Sequence, residues 1–259
     1  MHTLDEKQAA FGRLLTIMDE LREQCPWDRK QTLESLRHLT IEETYELADA
    51  ILDADLDEVK KETGDLMLHM VFYAKIASEQ GAWDIADALH AICDKLVARH
   101  PHIYGDVVAD DEETVKANWE QLKLKEGNRS VLAGVPNSLP SLVKAYRIQD
   151  KVRGVGFDWD NADQVWDKVQ EELGEFREEL AAGDQERATD EFGDVLFALI
   201  NYARFVGINP DEALERTNRR FRGRFMHMEE AVAADGKALS DMSLPEMDAY
   251  WERAKSEQG

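Results

Sequence analysis

The sequence predicts an all-α protein, built as a tandem repeat of two helical-bundle domains. Apolar residues recur at helical spacing almost throughout the chain, and the alternating apolar pattern of β-strands is nearly absent. An acidic helical motif occurs twice, once in each half of the 259 residues. The hydrophobic content of 43% is enough for a real core, which argues against a chain that is disordered by composition.

The apolar pattern predicts ten helices, separated by glycine, proline and polar residues. In the first half the predicted bounds are 4–24, 33–53, 56–79, 84–99 and 112–125. In the second half they are 139–153, 162–182, 184–206, 210–234 and 244–257. The segment 127–137 lies in a stretch rich in Gly, Pro, Ser and Asn, so we predict a linker there. The predicted domains are therefore 1–126 and 138–259.

The charge of the chain bears on its partners and its location. It carries 54 Asp and Glu against 31 Lys and Arg, a formal net charge of −23. Such acidity argues against nucleic acid or an anionic membrane surface as a partner. No apolar run approaches the ~20 residues that a membrane span needs, and the first residues do not resemble a signal peptide. Two cysteines form neither a disulfide framework nor a zinc ligand set, so we predict a cytoplasmic protein.

The acidic motif has the form EExxE, then fifteen residues, then ExxD, and its two copies are offset by 129 residues. Its members are Glu42, Glu43, Glu46, Glu62 and Asp65 in the first copy, and Glu171, Glu172, Glu175, Glu191 and Asp194 in the second. Basic residues and a tryptophan follow in both halves: Lys95, Arg99 and Trp119, then Arg220, Arg224 and Trp251. The preserved order indicates an old duplication.

Carboxylates three or four residues apart share a helix face, so two successive antiparallel helices would bring four of them together. A single EExxE is usually a solvated face, but the paired and repeated motif favours a site for a hard cation, Mg²⁺ or Mn²⁺. The predicted ligands are Glu172, Glu175, Glu191 and Asp194, with a possible second site at Glu43, Glu46, Glu62 and Asp65. A di-iron centre is disfavoured because it expects Glu-x-x-His pairs.

Apolar neighbours on the second acidic helix suggest that this helix is substantially buried. These neighbours are Val195, Leu196, Phe197, Leu199 and Ile200.

Cations and an amide accompany the carboxylates of the second half. Lys168 and Arg187 each lie four residues before a predicted ligand, and Arg220 and Arg224 form an i,i+4 pair suited to phosphate oxygens. Asn201 is a candidate contact for a sugar or base. Trp251 could stack on a base, and simple core packing of Trp251 stays equally open. A solvated basic patch is the open alternative for the two arginines.

Several longer motifs resemble the MazG family of nucleoside triphosphate pyrophosphohydrolases, in its tandem two-domain bacterial form. They are "CPWDRKQT", "IEETYELADAI", "ETGDLM", "RHPHIYGD", "VLAGVPNSLPSLVKAYRIQDK", "VGFDW" and "DEFGDVLFALINYAR". The EExxE–ExxD pattern alone would indicate only the wider all-α NTP pyrophosphatase superfamily. The resemblance implies hydrolysis of NTPs or dNTPs to a nucleoside monophosphate and pyrophosphate, Mg²⁺ dependence, ATP binding and homodimerisation. It also implies a role in nucleotide-pool housekeeping, with a possible role in starvation.

The resemblance also assigns roles residue by residue. Glu171, Glu172 and Glu175 would be catalytic, and the four second-half ligands would hold the metal. The nucleotide pocket would comprise Lys168, Glu171, Glu172, Arg187, Glu191, Asp194, Asn201, Arg220, Arg224 and Trp251. The family often has Lys where this chain has Arg187 and Arg220, which keeps the charge and changes the hydrogen-bond geometry.

The two halves are not equivalent. At the 129-residue offset, Lys168, Arg187 and Asn201 correspond to Leu39, Glu58 and Phe72. The first half thus keeps its carboxylates but lacks the groups that would hold a triphosphate. We predict that the second domain is catalytic and that the first is regulatory, structural or weakly active.

The expected reaction is attack of a metal-activated water that breaks the α–β bridge of the triphosphate. Arg220 and Arg224 would neutralise the departing pyrophosphate, and Glu171 would orient or deprotonate the water. Two alternatives remain: a pyrophosphatase restricted to one nucleotide such as dUTP or dCTP, and a non-catalytic Mg-nucleotide sensor. A purely structural scaffold fits least, because it gives no reason for a duplicated acidic motif.

Overall fold

The computed structural model describes residues 1–105 and 130–257, and within these ranges it contains helices and no strand. The all-α prediction is confirmed. Chain contacts divide the protein into two units, Met1–Val108 and Ala109–Gly259. The predicted helix 112–125 and the first three residues of the predicted linker lie outside the described residues. No helix in the described ranges is both long and apolar enough to cross a membrane.

The first unit contains four long helices: α1 Leu4–Gln24, α2 Leu33–Leu52, α3 Leu56–Glu79 and α4 Ile85–Arg99. Their bounds agree with the predicted ones to within one residue, because side-chain caps define them. Thr3, Thr32, Asp55 and Asp84 each accept a hydrogen bond from a backbone N–H in the first turn of a helix. A short helix, α5 Pro101–Tyr104, was not predicted; it begins at a proline, which suits the first helical position.

The core of the first unit lies between α1, α2 and α3. Its buried members are Met18, Leu36, Val71, Phe72 and Ile76, and Phe11, Leu14, Leu15, Leu39, Leu68 and Tyr73 pack against them. Burial of such side chains stabilises the fold by about 1.5–3 kcal/mol each.

The second unit contains α6 Ser141–Arg153, α7 Ala162–Ala182, α8 Gln185–Phe205, α9 Pro210–Ala234 and α10 Leu244–Glu257. These also match the prediction, to within two residues. Gly183 ends α7 in the left-handed region at φ 77°, and its N–H bonds to Glu179 and Leu180. Asp184 then caps α8. A connection this short makes α7 and α8 antiparallel neighbours, as the acidic motif requires.

The prediction that α8 is substantially buried is only half right. Val195 and Ile200 are 3% and 9% exposed, whereas Leu196, Phe197 and Leu199 are 41–47% exposed. Phe192, Leu196 and Leu199, at i, i+4 and i+7, form a second apolar stripe. The helix is apolar on two sides, and the described part of the chain covers only one of them.

Candidate metal and nucleotide site

The α7–α8 hairpin brings three of the four predicted metal ligands together. Glu172 and Glu175 on α7 and Glu191 on α8 each offer a carboxylate oxygen, and these oxygens lie within 4.8 Å of one another. Glu172 is 8% exposed, Glu191 is partly buried and Glu175 is exposed. The fourth predicted ligand, Asp194, is exposed and is not a member of this close group.

The electrostatics of this acidic cluster are dominated by like charges. Loss of solvent raises the pKa of Glu175, and the neighbouring Glu172 and Glu191 carboxylates raise it further. Lys168 partly offsets this charge, because its Nζ lies 2.8 Å from Glu171 Oε1 and 2.8 Å from Glu172 Oε1. The hydrogen bond to Glu171, followed by that to Glu172, raises the pKa of Lys168 far above its usual value. The ammonium group of Lys168 therefore stays charged.

The first unit contains the equivalent cluster. Glu43, Glu46 and Glu62 have carboxylate oxygens within 4.8 Å of one another, and Asp65 again lies outside the close group. Glu62 is 2% exposed; its Oε1 accepts a hydrogen bond from Lys61 Nζ at 2.8 Å, and its Oε2 has no hydrogen-bond partner. Burial, followed by the charges of the neighbouring carboxylates, raises the pKa of Glu43.

Both clusters suit a hard divalent cation. Ionised carboxylates only accept hydrogen bonds, so three of them at this separation cannot satisfy one another. The buried, unpartnered oxygen of Glu62 is the strongest sign of a missing positive partner, since such an atom costs about 1–3 kcal/mol when left unpaired. Oxygen-only donor sets favour Mg²⁺ or Mn²⁺ over zinc or copper.

A cavity of about 520 Å³ opens beside the second cluster, between α6, α7, α8 and the loop before α7. Lys168, Glu172 and Asp194 line it on the cluster side, and Asn201 lies further along α8. Asp194 and Asn201 thus line the same cavity as Glu172 of the acidic cluster, and their roles as metal ligand and nucleotide contact stay predictions. Its size lies within the usual range for small-molecule sites.

Other cavity residues had been given no role by the sequence. They include Gln149 on α6, Phe157, Asp158 and Trp159 in the loop, and Arg204 on α8. Asp158 and Trp159 belong to the "VGFDW" motif, whose match to the family was the one available signal. Gln149 and Arg204 likewise belong to motifs that match the family, "VLAGVPNSLPSLVKAYRIQDK" and "DEFGDVLFALINYAR". The apolar periodicity of their helices gave no sign of a role for either side chain.

A buried ion pair fixes one wall of this cavity. The side chain of Arg204 is 4% exposed, and Nη1 donates to Asp158 Oδ2 at 3.0 Å. Nε and Nη2 of the same guanidinium donate to Asn201 Oδ1 at 3.1 and 2.9 Å. Paired in this way, the buried charge is satisfied and holds Asn201 in one orientation.

Six predicted nucleotide contacts are not among the residues that line the cavity: Glu171, Arg187, Glu191, Arg220, Arg224 and Trp251. Arg187 is largely exposed and lies 3.5 Å from Glu179, and Arg220 donates to Thr217 Oγ1 at 3.2 Å. Trp251 packs against Phe221 with ring centroids 4.9 Å apart. Arg224 Nε is buried without a hydrogen-bond partner. Their roles in nucleotide binding stay predictions.

The first unit has apolar residues at three positions that line the cavity in the second. At the 129-residue offset, Lys168, Phe197 and Asn201 correspond to Leu39, Leu68 and Phe72. All three counterparts belong to the hydrophobic core of the first unit, and Phe72 is 2% exposed. Core packing thus occupies three of the positions that line an open cavity in the other repeat.

Comparison with known proteins agrees with the repeat. The MazG nucleotide pyrophosphohydrolase domain model matches residues 31–104 and 162–228. The chain is 42% identical over 257 residues to the nucleoside triphosphate pyrophosphohydrolase of Escherichia coli, covering 96% of this chain and 98% of the relative. It is 40% identical over 257 residues to the nucleoside triphosphate pyrophosphohydrolase/pyrophosphatase MazG of Thermotoga maritima, covering 97% and 98%. The chain therefore belongs to the MazG nucleotide pyrophosphohydrolase family, with one copy of the domain in each unit.

Proposed function

We propose that this chain hydrolyses nucleoside triphosphates to a nucleoside monophosphate and pyrophosphate, with Mg²⁺ as its cofactor and Mn²⁺ as a substitute. The observation that carries this proposal is the acidic cluster of Glu172, Glu175 and Glu191, which borders a cavity together with Lys168. Family membership and the names of the relatives support the reaction class. Nucleotide-pool housekeeping is the role we propose, and a part in starvation stays a prediction.

Glu172, Glu175 and Glu191 would hold the metal, with Asp194 completing the set from one turn along α8. When bound, Mg²⁺ supplies charge that offsets the phosphate oxygens, and it lowers the pKa of water. A carboxylate oxygen of Glu171 would accept the proton of the attacking water. The water oxygen bonds to phosphorus as the α–β bridge breaks, so the products are the monophosphate and pyrophosphate.

Cations of the chain would bind the phosphates. Lys168 already lies between Glu171 and Glu172 and stays protonated at neutral pH, so it can donate to a phosphate oxygen beside the metal. Arg187, Arg220 and Arg224 would neutralise the departing pyrophosphate. The buried, unpartnered Nε of Arg224 supports a role in holding an anion.

We also propose that the chain forms a homodimer through the exposed stripe of Phe192, Leu196 and Leu199 on α8. These side chains are 41–48% exposed and share one helix face, an arrangement typical of a surface that another chain covers. Cytoplasmic location stays a prediction, and the free Cys25 and Cys93 are compatible with it.

The second unit is the proposed catalytic half. It combines the acidic cluster with Lys168 and an open cavity, whereas the first unit fills the matching positions with Leu39, Leu68 and Phe72. We propose that the first cluster still binds a divalent cation through Glu43, Glu46, Glu62 and Asp65. Such a site would be structural or regulatory.

Product analysis with ATP tests the reaction. Incubation with Mg²⁺ should give AMP and pyrophosphate in equal amounts, resolved by ion-exchange chromatography, and EDTA should abolish both. ADP and phosphate instead would contradict the proposed bond cleavage. Tight binding of Mg-ATP without formation of any product would favour the alternative of a non-catalytic Mg-nucleotide sensor. A panel of NTPs and dNTPs would decide whether the enzyme is restricted to one nucleotide such as dUTP or dCTP.

A further inference from the structure

We propose that the cavity of the second unit binds the nucleobase, with Gln149 accepting a hydrogen bond from the base and Asn201 donating one to it. This assignment rests on the proposed function and deepens it, because it names the residues that recognise the base. It also relocates the base from Trp251, where the sequence had suggested stacking, to a wall of α6 and α8.

The amide of Gln149 has a fixed orientation in the cavity wall. Its side chain is almost fully buried, at 4% exposure, and its Nε2 donates to the backbone oxygen of Phe197 at 2.8 Å. A carbonyl oxygen only accepts hydrogen bonds, so the amide nitrogen must face Phe197. Oε1 is then left as a buried acceptor without a partner, in a side chain that lines the cavity. A ligand that brings an N–H donor would satisfy it.

The amide of Asn201 is also held in one orientation. Its Oδ1 accepts hydrogen bonds from Nε and Nη2 of Arg204, and a guanidinium only donates. The amide oxygen is therefore fixed against Arg204, and the amide nitrogen is left as the donor. The cavity thus offers one oriented acceptor and one oriented donor. Every nucleobase carries an N–H donor next to an acceptor along its pairing edge.

Within the part of the chain that the structure describes, this end of the cavity offers no free cation to bind a phosphate. Arg204 makes four hydrogen bonds, all to Asp158 and Asn201, so its charge is already neutralised. The remaining lining is mainly apolar and includes the rings of Phe157, Trp159 and Phe197. Such a surface suits a flat, uncharged heterocycle, whose faces gain from aromatic contact. Lys168 and Glu172 lie in the same cavity, so the phosphates of a bound nucleotide can extend to the acidic cluster.

At the matching positions, the first unit lacks groups that this site would use. There the counterpart of Asn201 is Phe72, which is buried in the core, and the counterpart of Lys168 is Leu39. The donor is replaced by a ring that fills space. On this proposal the first repeat lost base recognition and phosphate contact together.

Paired substrates test the hydrogen bond directly. We would compare ATP with N6,N6-dimethyl-ATP and UTP with 3-methyl-UTP, since each second member lacks the N–H donor. For whichever pair the parent enzyme accepts, kcat/KM should be about tenfold or more lower with the methylated nucleotide than with the unmethylated one. The methylated base has no N–H to donate, so Oε1 of Gln149 stays unpaired. Gln149→Met should lower kcat/KM for the unmethylated nucleotide. For the methylated nucleotide, kcat/KM should be the same in this variant as in the parent.

Matched variants separate recognition from damage to the fold. Asn201→Asp keeps an oxygen for Arg204 and removes the donor, so it should fold and raise KM more than it lowers kcat. Gln170→Met, at an exposed glutamine of α7, should behave as the parent. The proposal would be overturned if methylation of the base lowered kcat/KM as much in Gln149→Met as in the parent. It would also be overturned if the effect of methylation disappeared in Trp251→Ala and persisted in Gln149→Met.

Binding without turnover distinguishes failure of this proposal from failure of the proposed function. Titration calorimetry with AMP and UMP in EDTA should show about tenfold weaker binding of the favoured monophosphate to Gln149→Met than to the parent. Equal affinities would overturn the base assignment even if pyrophosphate release is normal. Absence of pyrophosphate release with intact, Gln149-dependent binding would instead refute the enzymatic proposal and leave the base site standing.

Discussion

At the scale of the residue, the acidic cluster of the second unit contains charges that oppose one another. Glu172, Glu175 and Glu191 place oxygens within 4.8 Å, and Lys168 contacts only the Glu172 member of the three. Close like charges destabilise the folded chain unless a cation lies among them. The cluster should therefore weaken the fold when metal is withheld and strengthen it when metal is bound.

Glu175→Gln tests this balance. In EDTA near neutral pH the variant should melt at a higher temperature than the parent, because one of three repelling charges is gone. Addition of Mg²⁺ should raise the melting temperature of the parent more than that of the variant, which keeps only the cluster of the first unit intact. Calorimetric melting with and without Mg²⁺ measures both effects. Glu178→Gln, at an exposed position of the same helix, is the control. A lower melting temperature of Glu175→Gln than of the parent in EDTA would contradict the proposed repulsion.

A second residue-scale feature is the ion pair between Arg22 and Glu79 in the first unit. Arg22 Nε donates to Glu79 Oε1 at 3.0 Å, and its guanidinium carbon lies 5.6 Å from the centroid of the Phe72 ring. The side chain of Arg22 is 10% exposed and that of Glu79 is 37% exposed. The hydrogen bond to Arg22 holds the pKa of Glu79 below its usual value of 4.5.

The sign of this shift gives a pH dependence. Because the folded state lowers the pKa of Glu79, the stabilisation is present above about pH 4.5 and is lost as the pH falls through the lower, folded value. Glu79→Gln should reduce the free energy of unfolding by roughly 0.5–1 kcal/mol near pH 7, since solvent screens the exposed side of the pair. The difference from the parent should shrink near pH 3. Urea unfolding at the two pH values measures the difference in the free energy of unfolding between variant and parent. The same difference at both pH values would refute the prediction.

At the scale of the element, the turn between α7 and α8 sets the register of the acidic motif. Gly183 has φ 77°, and a Cβ built there would meet no atom within 4 Å. The requirement for glycine is therefore conformational and not steric. A side chain in this left-handed region costs about 1–2 kcal/mol. The turn matters for the site because it aligns Glu191 with Glu172.

Gly183→Ala should lower the free energy of unfolding by about 1 kcal/mol, through backbone strain alone. Gly174→Ala is the matched control, since Gly174 lies in the interior of α7 and a Cβ there also meets no atom within 4 Å. It should stabilise the protein by roughly 0.5–1 kcal/mol, because alanine is the better helix former. Denaturant unfolding of both variants tests this, and a change of the same sign in both would show the assignment of strain to be incorrect.

At the scale of the whole molecule, one duplicated motif supports two different interiors. Each unit forms an acidic cluster at the same positions of the motif. In the first unit the adjoining positions carry Leu39 and Phe72 and belong to the core, whereas in the second Lys168 and Asn201 line a cavity. We infer that the duplication kept the metal cluster in both halves and the substrate cavity in one.

Equivalent substitutions in the two halves test whether the second unit alone carries the activity. Glu172→Gln should reduce pyrophosphate release from ATP by about a hundredfold or more, because it removes a predicted metal ligand at the cavity. Glu43→Gln should leave turnover within about twofold of the parent while it weakens the stabilisation of the chain by Mg²⁺. Steady-state kinetics and thermal melting of both variants give the answer. Loss of turnover in Glu43→Gln alone would place the activity in the first unit.

The proposed dimer gives a prediction at the same scale. Leu196→Glu places a charge in the exposed stripe of α8 and should convert a two-chain particle to a single chain in light scattering coupled to gel filtration. Leu56→Glu is the control, because Leu56 is 81% exposed at the start of α3 in the first unit. A parent protein that elutes as one chain, or a variant that stays a dimer, would contradict the proposed interface.

The sequence alone determined the long helices and, in each unit, three of the four carboxylates predicted to come together. Both follow from local chemistry: apolar periodicity, caps such as Thr3 and Asp184, and carboxylates three or four residues apart on one face. It also located the difference between the halves at Leu39 and Phe72. These properties depend on neighbours within a few turns of helix, which a single sequence records directly.

Only the tertiary structure decided which residues form the cavity wall. Gln149 meets Phe197 across 48 residues, and Asp158 meets Arg204 across 46. No periodicity links such distant positions, because their contact depends on how α6, α8 and the loop before α7 pack. The exposed side of α8 was missed for the same reason: an apolar pattern shows that a face avoids water, and only packing decides which surface covers it.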